Sequence, residues 1–113
     1  MRLGKKQELF MRLLPRLLDK AHELGFEIRG GDLFRDPRSH GVFGETGPYG
    51  RDKSTHKLKL AIDLNLFLDG RWVVTTEGHR ELGEFWEGLH PLCRWGGQFG
   101  DGNHYSLEHG GVN

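Results

Sequence analysis

A chain of 113 residues, of which 35% are hydrophobic, is long enough for one compact domain around one modest core, and we assign residues 1–113 to that single domain. Sixteen basic and sixteen acidic side chains give zero formal charge without a Lys/Arg block, which argues against nucleic acid or an anionic membrane as main partner. The single cysteine excludes an internal disulfide and any zinc site built from several thiolates.

The N-terminal segment MRLGKKQELFMRLLPRLL has charges spaced through its apolar residues, unlike the uninterrupted apolar region of a signal peptide. Nowhere does an apolar run reach the roughly 18 residues that suggest a membrane span. We therefore expect synthesis in the cytoplasm, without a signal peptide and without a membrane anchor.

The first predicted element is an amphipathic helix from Gln7 to Leu24, because apolar residues recur there at three- and four-residue steps. Gly25 is expected to end it. Pro15 lies inside the pattern and predicts a kink or the start of the better-formed part. A short strand follows around Phe26 and Ile28, and then residues 32–53 predict a loop too long for a simple connection, which favours a role in binding or in covering a site.

A period of two predicts a strand from Leu60 to Phe67, with its leucines and Ile62 on one face and Asp63 on the other. A carboxylate within an apolar strand requires an ion pair, hydrogen bonds or a metal. Asp69-Gly70 predicts a hairpin turn, after which RWVVT returns as the antiparallel partner.

The second helix is predicted from Glu77 to Leu89, with Thr76 as its N-cap. After Pro91 the sequence predicts a glycine-rich turn and a short last strand from His104 to Leu107. Cys93 has apolar neighbours and is expected to be a buried structural thiol.

Several residues could together form a catalytic zinc site, which needs three nitrogen or oxygen ligands and an open position for water. His56 precedes the predicted strand, Asp63 lies on its polar face, and His104 begins the last strand, with Asp101 three residues earlier. Each residue also has an ordinary explanation without a metal. His56 and His104 could be surface or core histidines, Asp63 could form an ion pair, and Asp101 in GDGN could be a turn residue. The combination favours the metal site.

Two spaced motifs resemble the M15 family of zinc peptidases. The first is S-x-H-x6-D, at Ser54, His56 and Asp63, and the second is WGGQFGDGNHY, at residues 95–105. The phrases LAIDLNLFLDG and LGEFWEGLHPLCRWGG are similar to that family as well, so the likeness runs from about Gly25 to Leu107. More narrowly, it resembles the small phage-type branch that cuts peptidoglycan stem peptides.

The resemblance implies Zn²⁺ as cofactor and a ligand set of His56, Asp63 and His104. It implies that Asp101 is the general base for a zinc-activated water, at a position where many members carry glutamate. Arg35, in LFRDPR, would stabilise the developing oxyanion, although its neighbours depart from the commoner YRTPEQ, and a solvated loop arginine is its alternative.

Two further residues are assigned to substrate binding, each with an alternative. Ser54 either contacts the substrate or orients His56, and no triad supports it as a nucleophile. Trp95 either lines the cleft or packs in the core. The remaining histidines match no motif position and are expected not to be ligands: His22, His40, His79, His90 and His109.

The resemblance also implies an α+β fold, a small mainly antiparallel sheet flanked by helices with a single zinc site at the sheet edge. It implies an endolysin, a zinc-dependent peptidase that hydrolyses a stem-peptide bond of peptidoglycan, with the L-Ala–D-Glu bond favoured. A D-Ala-D-Ala carboxypeptidase stays open, since Arg35, Arg38 or Arg51 could hold the substrate carboxylate. A catalytically inactive wall-binding or virion structural domain is the third interpretation. The expected monomer would act in the periplasm or cell wall after release.

Overall fold

The computed structural model describes residues 1–31, Leu33 and residues 54–113. Within them the chain is an α+β domain whose helices and strands are α1 Leu3–Glu23, β1 Glu27–Gly30, β2 Ala61–Leu68, β3 Arg71–Trp72, α2 Arg80–Leu89, β4 Cys93–Trp95 and β5 His104–Leu107. All strand pairs are antiparallel, which confirms the predicted small antiparallel sheet. No helix among the described residues is both long and apolar enough to cross a membrane.

Helix α1 ends at the predicted glycine. Gly25 has a φ of +95°, and the amides of Gly25 and Phe26 donate to the carbonyls of His22 and Ala21, both at 3.0 Å. This pair of bonds satisfies two carbonyls that the helix leaves free, and glycine adopts the required positive φ without strain. The helix runs through Pro15, which is exposed, so the proline does not end it.

Both helices pack on the aliphatic face of the sheet. Phe10 of α1 meets Trp86 of α2 edge to face, with ring centroids 5.8 Å apart, and Trp86 Nε1 donates to the carbonyls of Arg94 and Ser106. The residues of β2 in this core are the predicted ones, Ile62, Leu64 and Leu66. The opposite face of β2, which carries Asp63, is therefore separate from the core.

The sheet order is β1-β2-β5-β4, and β3 is the hairpin partner of β2. Asp69 and Gly70 have φ values of +52° and +76°, which confirms the hairpin turn. Strand β3 holds two residues, so it is shorter than the predicted RWVVT. Strand β4 was not predicted, because its three residues are too few to show a period.

The start of the second helix differs from the prediction. Residues Glu77–His79 form a 3₁₀ turn before α2, and Thr76 makes no side-chain cap because its backbone is already helical. Thr75 makes the bond instead: its Oγ1 accepts from the Gly78 amide at 3.1 Å. Thr76 is thus the residue before the turn, as predicted, but its side chain does not form the cap.

Cys93 is 2% exposed, and burial raises the pKa of its thiol to about 12. At pH 8 about one such thiol in ten thousand is ionised, and only the thiolate reacts. We expect the folded protein to resist iodoacetamide at pH 8 and the urea-unfolded protein to react at the rate of a free cysteine. Equal rates in the two states, followed by mass spectrometry, would contradict a buried structural thiol.

Candidate metal centre

Three side chains meet on the sheet face opposite the helices. Asp63 in β2 and His104 in β5 are directly opposite in the strand pairing, and His56 comes from the 3₁₀ turn Thr55–Leu58 just before β2. Their donor atoms are close together: His56 Nε2 to Asp63 Oδ1 is 3.1 Å, His104 Nδ1 to His56 Nε2 is 3.2 Å, and His104 Nδ1 to Asp63 Oδ1 is 3.4 Å. This group of three could hold a metal ion.

Asp63 and His104 lie on β2 and β5, the two inner strands of the order β1-β2-β5-β4, and His56 comes from the turn before β2. The expected position at the sheet edge is therefore wrong for the two strand residues. Asp63 and His104 face each other because the antiparallel register pairs them, and this pairing brings together residues 41 positions apart.

Ser54 positions His56 through the backbone. The Ser54 side chain is buried, and its Oγ accepts from the His56 amide at 3.2 Å, which caps the 3₁₀ turn. Of its two predicted roles, orientation of the histidine is the one that these contacts support.

Both imidazole rings are fixed by backbone carbonyls on the side away from the cluster. His56 Nδ1 lies 3.1 Å from the Leu33 carbonyl, and His104 Nε2 lies 2.9 Å from the Asn113 carbonyl. A carbonyl can only accept, so the ring nitrogen facing it carries the proton. In a neutral ring the other nitrogen then carries a lone pair, and in both rings this nitrogen faces Asp63.

The carboxylate of Asp63 also favours a cation at this site. Burial by itself raises the pKa of the Asp63 carboxyl. His104 and His56, when protonated on the nitrogens that face Asp63, donate hydrogen bonds and add positive charge, which brings that pKa well below its usual range. An ionised carboxylate beside two imidazole lone pairs needs a cation or added protons between them. A metal ion supplies that charge and removes the repulsion.

The geometry fits zinc. Ligand bonds of about 2.0–2.2 Å in a tetrahedral arrangement place ligand atoms about 3.3–3.6 Å from one another. The three observed separations, 3.1, 3.2 and 3.4 Å, lie at or just below that range. The outer carbonyls match the hydrogen bonds that orient metal-binding histidines in general.

Thr55 supports the outer side of His104. Its Oγ1 donates to the Asn113 carbonyl at 3.0 Å and lies 3.3 Å from His104 Nε2, and the residue is 1% exposed. We expect Thr55→Val, which keeps the shape, to lower zinc affinity about tenfold, because loss of such a partner typically costs ten- to a hundredfold. A chelator-competition titration measures it, with Thr76→Val as matched control. Unchanged affinity would show that the hydroxyl does not orient the ring.

Asp101 lies outside the converging group but close to it in the chain. Its amide donates to the Gly96 carbonyl at 2.8 Å, and its carbonyl accepts from the His104 amide at 3.1 Å. A Cβ at Gly96 would collide with the Asp101 carbonyl and approach the Cβ of His104 within 2.7 Å, so glycine is required there. The Asp101 residue is exposed and lines a cavity.

Trp95 and Arg35 are the other two residues that were predicted to act at the site. Trp95 is 1% exposed and belongs to the core, and its Nε1 donates to the Gly102 carbonyl at 2.7 Å. A buried indole cannot touch a substrate, so the substrate-binding assignment is corrected: Trp95 anchors the loop next to Asp101. Arg35 lies outside the described residues.

The sequence did not single out several neighbours of this site. The Tyr105 hydroxyl lies 2.7 Å from His79 Nδ1, and burial raises the pKa of Tyr105 far above its usual range, so the phenol stays protonated. Phe99 lies beside His104, with ring centroids 5.8 Å apart, and is 42% exposed. None of these contacts follows from a periodicity, because each joins distant positions or irregular segments.

No protein-family model, no curated protein and no solved structure matches this chain. The geometry of His56, Asp63 and His104 is therefore the main basis for a functional assignment, together with the motifs quoted above.

Proposed function

We propose that the protein is a zinc-dependent peptidoglycan peptidase that hydrolyses a stem-peptide bond, with the L-Ala–D-Glu bond as its favoured target. The observation that carries the proposal is the convergence of two imidazole lone pairs and one carboxylate within 3.4 Å of one another. Such a set uses three ligands and leaves a coordination position free, as catalytic zinc sites do. The resemblance to M15 peptidases supports the choice of substrate.

Zinc held by His56, Asp63 and His104 supplies Lewis acidity, which polarises a carbonyl and makes a water molecule more acidic. The two neutral imidazoles and one carboxylate leave this centre with a net positive charge. The described residues provide its rigid frame, because β2 and β5 fix Asp63 and His104 while Ser54 and the Leu33 carbonyl fix His56. Peptide hydrolysis benefits from such a fixed charge distribution.

Asp101 is proposed as the general base. It removes a proton from the attacking water as the C–O bond forms, and the same proton passes to the amide nitrogen as the C–N bond breaks. Its exposed position in the loop before β5 is compatible with access to both water and substrate. The proposed enzyme acts as a monomer in the periplasm or cell wall after release from the cytoplasm.

The test is direct. Purified protein is incubated with intact peptidoglycan and with a soluble stem pentapeptide, with and without a chelator, and products are identified by mass spectrometry. We expect chelator-sensitive cleavage between L-Ala and D-Glu. Loss of one D-Ala alone would show a carboxypeptidase, and no cleavage by zinc-loaded protein would contradict a peptidase and favour a wall-binding domain.

A further inference from the structure

A cavity of about 270 Å³ lies beside Asp101, and we name it the Asp101 cavity. Its walls are the segment Trp72–Thr76, the loop Gly100–Asn103, Asn65 and His79. A water molecule takes up about 30 Å³ in the liquid, so the cavity is far larger than a site for one bound water. It is large enough to take a ligand group.

Two residues of the cavity wall, Asn65 and Asn103, lie close in the sheet to residues of the metal centre. Asn65 follows Asp63 by two positions in β2, and side chains two apart on a strand share a face. On the neighbouring side, Asn103 directly precedes His104, and its carbonyl accepts from the Leu64 amide at 2.9 Å. We therefore expect part of a peptide held at the metal centre to extend towards this cavity.

The electrostatics of the cavity favour an amine over a carboxylate. Among the described lining residues Asp101 is the single charged side chain, and none is a lysine or arginine. Burial lowers the pKa of His79, although a hydrogen bond to the Val73 backbone and the charge of Asp101 oppose the shift, so this ring adds no positive charge at neutral pH. Asn65, Thr76 and Asn103 add neutral acceptors.

The path of the proton indicates which part of the substrate lies next to Asp101. A carboxylate that takes the proton of the attacking water must deliver it to the leaving nitrogen, so the leaving segment lies on the side of Asp101. We propose that the Asp101 cavity binds this leaving segment and selects a residue with a free side-chain amino group. The inference rests on the proposed peptidase function. In a stem peptide the group is the diamino acid that follows D-Glu.

This specificity distinguishes the two peptidase activities. Cleavage between L-Ala and D-Glu releases a segment that contains the diamino acid, whereas removal of a terminal D-Ala releases a single residue with a carboxylate and a methyl group. Among its described lining residues the cavity offers no cation for that carboxylate. The proposal thus favours the endopeptidase.

The test compares two soluble stem peptides that differ only in the side-chain amine of the diamino acid, which is free in one and acetylated in the other. We expect kcat/KM to be about two- to fivefold higher for the free amine, the range of an exposed charge interaction. Asn65→Lys places a cation in the cavity wall and should abolish or reverse the preference. Met11→Lys, at an exposed position on α1, is the matched control and should keep it.

A binding measurement separates this inference from the proposed function. The free leaving fragment, D-Glu joined to the diamino acid, is titrated into wild-type protein while the side-chain amide resonances of Asn65 and Asn103 are followed by NMR. We expect saturable shifts that Asn65→Lys weakens. Hydrolysis without any amine preference or shift would overturn the cavity assignment alone, whereas shifts without hydrolysis would support the cavity and overturn the peptidase.

Discussion

His104→Ala is expected to abolish zinc binding and peptide hydrolysis together. The substitution removes one of the three ligand atoms. Loss of a residue that only hydrogen-bonds to a ligand already lowers metal affinity about ten- to a hundredfold, so we expect zinc affinity to fall by more than a hundredfold. Zinc content after dialysis and a chelator-competition titration measure the effect. His22→Ala, an exposed histidine on α1, is the control and should bind zinc as the wild type does.

Because His104 is buried, its truncation could also harm folding, and a second variant addresses this. Asp63→Asn keeps the shape but removes the charge between the two rings, so it should fold and still lose most of its zinc affinity. Circular dichroism reports the fold of both variants. If both variants fold and each still binds one zinc ion per molecule, the metal lies elsewhere.

The same ligand set predicts how metal binding depends on pH. Zinc binds its ligands in their deprotonated form, so a proton on the inward-facing nitrogen of His56 or His104 competes with the metal. Affinity should therefore fall as the pH falls, and protons should be released when zinc is added to a weakly buffered solution. Zinc affinity that stays constant as the pH is lowered would contradict coordination by the two imidazoles.

Much of the fold follows from local sequence rules. The period of two gave β2 its two faces, Asp69-Gly70 gave the hairpin, and Gly25 gave the end of α1, because each depends on residues close in the chain. The side-chain bond at the start of this turn comes from Thr75 and not from Thr76, since both threonines offer a hydroxyl and only the backbone angles decide between them. Strand β4 is set by tertiary pairing with β5.

The candidate site was predictable only in part. The motifs identified His56, Asp63 and His104, and the structure brings them together. The support from Thr55 and Asn113 could not be predicted, because the bond joins residues 58 positions apart through a backbone carbonyl that every residue possesses. Trp95 was ambiguous for another reason: an indole suits a cleft and a core equally well, and only its burial decides.

Asp101→Asn is expected to retain zinc and lose turnover, because the amide keeps the size of the side chain but cannot accept the water's proton. General-base catalysis contributes about a hundred- to ten-thousandfold, so kcat should fall within that range while zinc stoichiometry stays close to wild type. Asp69→Asn, in the exposed hairpin turn, is the control. Asp101→Glu retains a base and should keep part of the activity. Near-wild-type kcat in Asp101→Asn would move the base to another residue, whereas loss of zinc would make Asp101 a part of the metal centre.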